Sequence, residues 1–240
     1  MNSERLNWIC TTLEVEGGKR VAGSPMQLVP MGMAAKEKLW EKGKVLKVRF
    51  IEGTAPLHDR VMQAAQSWFL DDVNLKLAQA QSGEAGDIRI SFDASRGSWS
   101  YVGTDCRSIH PTEATMNLGW ATLDTPDKDF SSVVIHEFGH ALGLLHEHNH
   151  PEARIEWDEA AVRADLGGPP NYWNNETIDS NVFAKFAASD VITTDFDNAS
   201  VMIYTIPAGW TINKKSCTPS WKLSAGDAAT IRKLYAYADA

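Results

Sequence analysis

The sequence predicts an α+β protein. Stretches that alternate in a β pattern gather before residue 120, and two helical patterns accompany them. Beyond residue 150 the chain is irregular until a final helix opens near Ser224. The other elements are organised around residues 136–150, HEFGHALGLLHEHNH, which hold five of the seven histidines.

Composition sets the bounds. At 240 residues the chain can bury one sizeable core or two small lobes. Its 43% hydrophobic and 22% charged content is that of an ordinary soluble globular protein. The net charge of −8 argues against a nucleic-acid groove or a basic membrane patch. No apolar run is long enough to cross a membrane. The N-terminal stretch MNSERLNWICTTLEVEGG has no long apolar core, so no secretory leader is expected in it.

Taken in order, residues 1–40 show no lasting period and are punctuated by Gly17-Gly18, Gly23-Ser24-Pro25 and Pro30. A short helix is expected from Ala34 to Trp40. Residues 45–51, VLKVRFI, alternate and are β-branched, so they read as a strand. Leu57 to Val73 reads as a helix, with Val61, Ala64, Ala65 and Trp68 on its apolar stripe. Two strands follow, at 74–80 and 87–92. In the second, Ile88, Ile90 and Phe92 are expected to face inward. Trp99 to Gly103 reads as a strand or loop at the sheet rim. Residues 114–120 read as another strand, either the exposed edge, where an extended peptide could pair, or an ordinary member of the sheet.

The next helix carries the motif, with Asp129 or Ser131 expected as its cap. Residues four apart share a helix face, so His136 and His140 can point both imidazoles at one metal ion. Zinc prefers four ligands at short range, and a catalytic site keeps one position open. His146 cannot join from a continuing helix, because six residues would carry it about 9 Å along the axis. The chain must turn, and Gly143 stands where a left-handed residue would end the helix. Val134, Phe138, Ala141 and Leu145 form an apolar stripe opposite the histidines. Glu137 is offset around the helix and can reach a metal-bound water, where a general base belongs.

Beyond the motif, Asp158 to Leu166 reads as a short helix closed by Gly167-Gly168-Pro169-Pro170. Residues 171–186 are expected to hold one helical piece, and 193–198 a loop leading to Met202. Ser224 and Asp227 have capping-box spacing before the final helix.

The pattern H-E-x-x-H-x-x-G-x-x-H at 136–146 resembles the zinc motif of the metzincin metallopeptidases. Ser200-Val201-Met202-Ile203-Tyr204 resembles their methionine turn, with Met202 as a floor beneath the metal. Glu147, directly after the third histidine, narrows the resemblance to astacin-like enzymes. The match departs at His150, where an arginine is usual, and at Glu152-Ala153-Arg154, where an aspartate-arginine-aspartate stretch is usual. It covers roughly residues 45 to 238 and is strongest at 136–147, 200–204 and the last helix.

The resemblance implies a two-lobed fold with a twisted mixed sheet and a zinc cleft between the lobes. It implies a zinc endopeptidase with His136, His140 and His146 as ligands and Glu137 as the acid–base. Tyr204 would be an extra ligand that swings to stabilise the oxyanion. Glu147 would be buried against the mature N-terminus. Residues 1–40 would be an extension or propeptide and 41–240 the catalytic domain. The expected partner is a protein or peptide substrate, with no nucleic acid and no membrane, for a monomer. Such enzymes are mostly secreted, so the compartment stays open. An inactive zinc-bearing binding module and a narrow-specificity toxin or processing protease are the other functional readings.

His148 and His150 could form a second metal site, but are expected in a solvated or substrate-facing loop. Of the three cysteines, Cys106 and Cys217 could form a bridge, or all three could be free thiols. Cys10 could ligand the open zinc position or be an unrelated thiol.

Overall fold

The structure is a computed structural model that describes residues 10–13, 29–30, 33–169, 171–184 and 195–237. Its frame is a six-stranded mixed sheet. In chain order the strands are β1 (Thr11–Leu13), β2 (Val29–Pro30), β3 (Met33–Ala34), β4 (Val45–Phe50), β5 (Lys76–Gln79), β6 (Ile88–Ser91), β7 (Ser98–Tyr101) and β8 (Met116–Leu118). The lateral order is β1-β7-β8-β6-β4-β5, and β2 and β3 form a separate antiparallel pair. Strands β4, β5, β6 and β8 run parallel, and β7 runs antiparallel to β8. The β1 strand lies parallel to β7, with Thr11 opposite Trp99 and Leu13 opposite Tyr101.

Among the strand expectations, 114–120 needs correcting as the exposed edge. Its core, β8, lies between β6 and β7, and all three of its residues are buried. The strand nearer the rim is β7, and β1 covers its outer side. In β6, Ile88 and Ile90 are buried as the alternation predicts, but Phe92 is only half-buried. Arg89 is buried as well, because its guanidinium donates to the carbonyls of Glu113, Gly86, Cys106 and Ile109.

The helices are α1 (Ala55–Ala65), α2 (Asp127–Ala141), α3 (Glu159–Gly167), α4 (Asn175–Ile178) and α5 (Ala225–Tyr235). Pro56 starts α1, where its missing N–H leaves nothing unsatisfied. This helix tightens into a 3₁₀ turn at Gln66–Trp68 rather than running on to Val73. The α2 helix begins earlier than expected, after Pro126, and no side chain caps it. Every residue of α2 from Val133 onward is buried, so the helix crosses the interior and has no solvated face there. Leu145 lies past its end and is half-buried, so the stripe stops at Ala141. A π-helical turn, Asp179–Phe183, follows α4 directly.

Two apolar clusters flank the motif helix. The larger gathers the sheet with α1, α2 and α5, through Trp68, Phe130, Phe138, Ile88, Ile90 and Tyr235 among others. The smaller joins Val162, Leu166, Ile178, Val182, Ile206 and Trp210 in the C-terminal half. Residues before 41 also take part. Ala34, Ala35 and Trp40 are buried, Trp40 Nε1 donates to Ala141 O at 2.7 Å, and Ala35 N donates to Gly143 O at 2.9 Å. With Tyr235 Oη donating to Leu142 O, these bonds occupy carbonyls that the end of α2 leaves without helical partners.

The capping box forms as the spacing predicts, and it does more than cap. Asp227 accepts from Ser224 N, and also from Ser200 Oγ at 2.6 Å and Val201 N at 2.9 Å. The same carboxylate thus starts α5 and fixes the methionine turn. All three cysteines are free, so no Cys106–Cys217 bridge exists.

Candidate metal centre

Helix α2 delivers His136 and His140 from one face, one turn apart. Leu142 ends the helix, and Gly143, at φ +96°, reverses the chain. A side chain at that φ would be strained, and a Cβ there would also meet Leu39. The reversal brings His146 back to the other two. His140 Nε2 lies 3.1 Å from both His136 Nε2 and His146 Nε2.

The contact between His136 and His140 is not a hydrogen bond. His136 Nδ1 lies 2.8 Å from Val201 O, and His140 Nδ1 lies 2.8 Å from Leu144 O. A carbonyl can only accept, so both Nδ1 atoms carry the proton and both Nε2 atoms present bare lone pairs. Lone pairs that close are held together by a cation. A tetrahedral zinc with nitrogen ligands at about 2.0–2.1 Å would separate such nitrogens by about 3.3 Å. The donor set therefore fits zinc, with outer bonds that orient each imidazole. Burial lowers the pKa of all three histidines, His136 to about 4, which keeps them in the neutral form a metal requires.

Cys10 completes the group. Its Sγ lies 3.0, 3.5 and 3.1 Å from the Nε2 atoms of His136, His140 and His146. The four donor atoms lie within 4.8 Å of one another, the arrangement of a four-ligand metal site. Of the two readings of Cys10 left open by the sequence, this is the one that puts it at the metal.

The neighbouring side chains are equally enclosed. Glu137 is buried, and its Oε2 has no hydrogen-bond partner among the described residues. Burial raises its carboxyl well above the usual range, opposed by a hydrogen bond with Cys10. The ring of Tyr204 lies 4.3 Å from that of His146, and its hydroxyl donates to the backbone carbonyl of Cys10. Met202 lies under the helix, where a Cβ on Gly139 would collide with its Sδ. Glu147 is buried and accepts from Asp197 N at 2.9 Å, and burial pushes its carboxyl up to about 8.

His148 and His150 require a correction. Neither lies in a solvated loop, and both are buried. The turn after His146 passes through the interior because His148 and Asn149 bind carbonyls of the π-helical turn and the residue after it. His148 Nε2 lies 2.8 Å from Asn181 O, and Asn149 Nδ2 donates to Ala184 O at 2.7 Å. Lys214 and Lys215 are exposed.

Zinc metallopeptidases of the metzincin class are built this way, and the sheet and helices around the cluster follow the same plan. The chain belongs to the astacin family: the peptidase family described as Astacin matches residues 32–236. Two solved structures of myroilysin are similar to it. One is 39% identical with a TM-score of 0.80, covering 84% of this chain and 97% of that one. The other is 35% identical with a TM-score of 0.66, covering 95% and 90%. High choriolytic enzyme 1, a hatching enzyme zinc-protease from the medaka fish Oryzias latipes, shares the fold. It is 17% identical at a TM-score of 0.56, covering 84% of this chain and 96% of that one. No curated protein matches the chain. The protein is a zinc-dependent metalloendopeptidase, and its substrate is a peptide or protein. No helix among the described residues is long and apolar enough to cross a membrane.

Proposed function

We propose that His136, His140 and His146 hold the zinc, that Glu137 moves the proton, and that Tyr204 stabilises the developing oxyanion. The observation that carries this reading is the convergence of three histidine Nε2 atoms beside a buried carboxyl with an unpartnered oxygen. Bound zinc supplies Lewis acidity, which brings the pKa of its water toward about 7. Glu137 takes the proton released as the peptide carbonyl is attacked and returns it to the leaving amine. Tyr204 donates its hydroxyl to the carbonyl oxygen as charge develops there. Its present acceptor, the Cys10 carbonyl, is itself a peptide carbonyl, which supports that role. The reading includes a monomeric enzyme with no nucleic-acid partner, and the net charge of −8 supports the second point.

The test is Glu137→Ala. A positioned general acid–base typically contributes about 10²–10⁴ in rate, and one residue here serves both proton transfers. The variant should keep stoichiometric zinc and its melting temperature and lose nearly all cleavage of a mixed peptide library. Chelation should silence the wild type, and added zinc should restore it. A variant that cleaves at the wild-type rate would exclude Glu137 as the base.

The N-terminal segment is read as inhibitory. Cys10 occupies the position a water would need, and β1 covers the outer side of β7, where an extended peptide could add. Full-length Cys10→Ser should therefore turn over a peptide substrate at least tenfold faster than the full-length wild type, the scale of about 1.4 kcal/mol of lost competition. Equal rates for the two zinc-loaded chains would rule out a thiol block.

A further inference from the structure

The mechanism above uses Tyr204 but leaves its seat unexplained. Its hydroxyl donates to the carbonyl of Cys10 and also lies in hydrogen-bond reach of that residue's thiol. A substrate would displace that contact, and ring packing would then help to hold the phenol. Two rings touch it. His146 lies 4.3 Å away between centroids but is committed to the metal cluster. His148 also lies 4.3 Å away, with its plane tilted by 34°.

His148 is itself immobilised. It is 1% exposed. Its Nε2 donates to Asn181 O at 2.8 Å, its ring stacks on His146 at 5.1 Å, and the edge of Trp157 meets it at 6.2 Å. Its Nδ1 is buried with no hydrogen-bond partner among the described residues, so that nitrogen contributes nothing to the fold. A buried imidazole with an unused nitrogen is an expensive way to fill space, since an apolar ring would avoid the desolvation.

We propose that His148 is a positioning residue whose ring holds the Tyr204 phenol in register with the reacting carbonyl. The inference rests on the proposed role of Tyr204 and adds the residue through which that role is set. Because His148 acts through Tyr204, its loss lowers kcat and leaves KM nearly unchanged, since ground-state binding of the peptide does not use the phenol.

Two substitutions separate ring from donor. His148→Phe keeps a planar ring and loses the bond to Asn181. His148→Gln keeps a donor for Asn181 and loses the ring. Both are made in the full-length chain carrying Cys10→Ser, alone and combined with Tyr204→Phe, with zinc content and melting measured throughout. The glutamine variant should lose about 10- to 100-fold in kcat, the scale of a 1 Å misplacement at a reacting centre. The phenylalanine variant should stay within about threefold of its parent. The double variant Tyr204→Phe/His148→Gln should be no slower than Tyr204→Phe alone.

Losses that multiply in the double variant would overturn the inference and leave the role of Tyr204 standing. So would equal rates for the two single variants. An unimpaired Tyr204→Phe would sink the role of Tyr204 and this inference with it.

Discussion

Gly139 packs the motif helix directly against the methionine turn. Alanine is the better helix former by about 0.5–1 kcal/mol, so propensity alone favours replacing this glycine. The packing says otherwise. A Cβ at Gly139 would run into Met202 Sδ and stand 3.0 Å from the Trp68 ring. Met202 cannot yield easily, because it is buried and its N–H is held by Ser200 Oγ. Gly139→Ala should therefore destabilise the zinc-loaded protein by about 1–3 kcal/mol, the usual range for overpacking. Thermal melting checks this, and an unchanged or raised melting temperature would show that the turn can move aside. The same position shows what is legible residue by residue. His136, His140 and Glu137 stand out because their relation is fixed by one turn of helix, and Gly143 because the chain must reverse. Gly139 fills an unassigned place in the motif, and its constraint comes from a methionine far along the chain. His148 and His150 depart from expectation for the same reason. Nothing near them in sequence announces Asn181 or the neighbouring turn that draws this segment inside.

Elements are readable where their period is local and long. Helix α2, the Ser224–Asp227 box and strands β4 and β6 stand close to where the pattern puts them. Their lateral order is not readable. The 114–120 stretch suggests an edge because it lies nearest the motif helix along the chain. In a mixed sheet, adjacency in sequence does not determine position across the sheet, and β7 doubles back antiparallel outside β8. The burial of Arg89 in β6 follows from that order as well. A loop closes over the face where alternation expects solvent, and its carbonyls take the guanidinium's donors. At the helix ends, the box at α5 is recognisable because both partners lie within one turn. The end of α2 is served instead by Trp40 and Tyr235, from opposite ends of the chain.

At the scale of the whole molecule, the N-terminal region divides into parts with different allegiances. Cys10 lies at the histidine cluster and β1 pairs with β7, whereas Ala34 and Trp40 are built into the larger core and Ala35 is also buried. A chain beginning at residue 33 should fold, bind zinc and hydrolyse peptides. A chain beginning at residue 41 loses a buried tryptophan and the bonds to Ala141 O and Gly143 O. Removing a buried tryptophan side chain alone costs about 3–5 kcal/mol, against a total stability of about 5–15 kcal/mol. It should melt well below the longer chain, as circular dichroism would show. Coincident melting curves would mean that residues 33–40 are dispensable packing.

The chemistry of this protein is determined by short-range geometry. Residues 136–146 present two imidazoles one helical turn apart, a reversal and a third imidazole, and a site for one metal ion follows from that spacing; the peptidase activity follows from the family match. The state of that chemistry depends on contacts the sequence does not encode locally. Cys10 reaches the centre across more than a hundred residues, and Asp227 reaches back from the last helix to hold the methionine turn. A thiol beside no recognisable motif has no period and no partner in sequence. Only the closing of the core around α2 brings it within reach of three histidines.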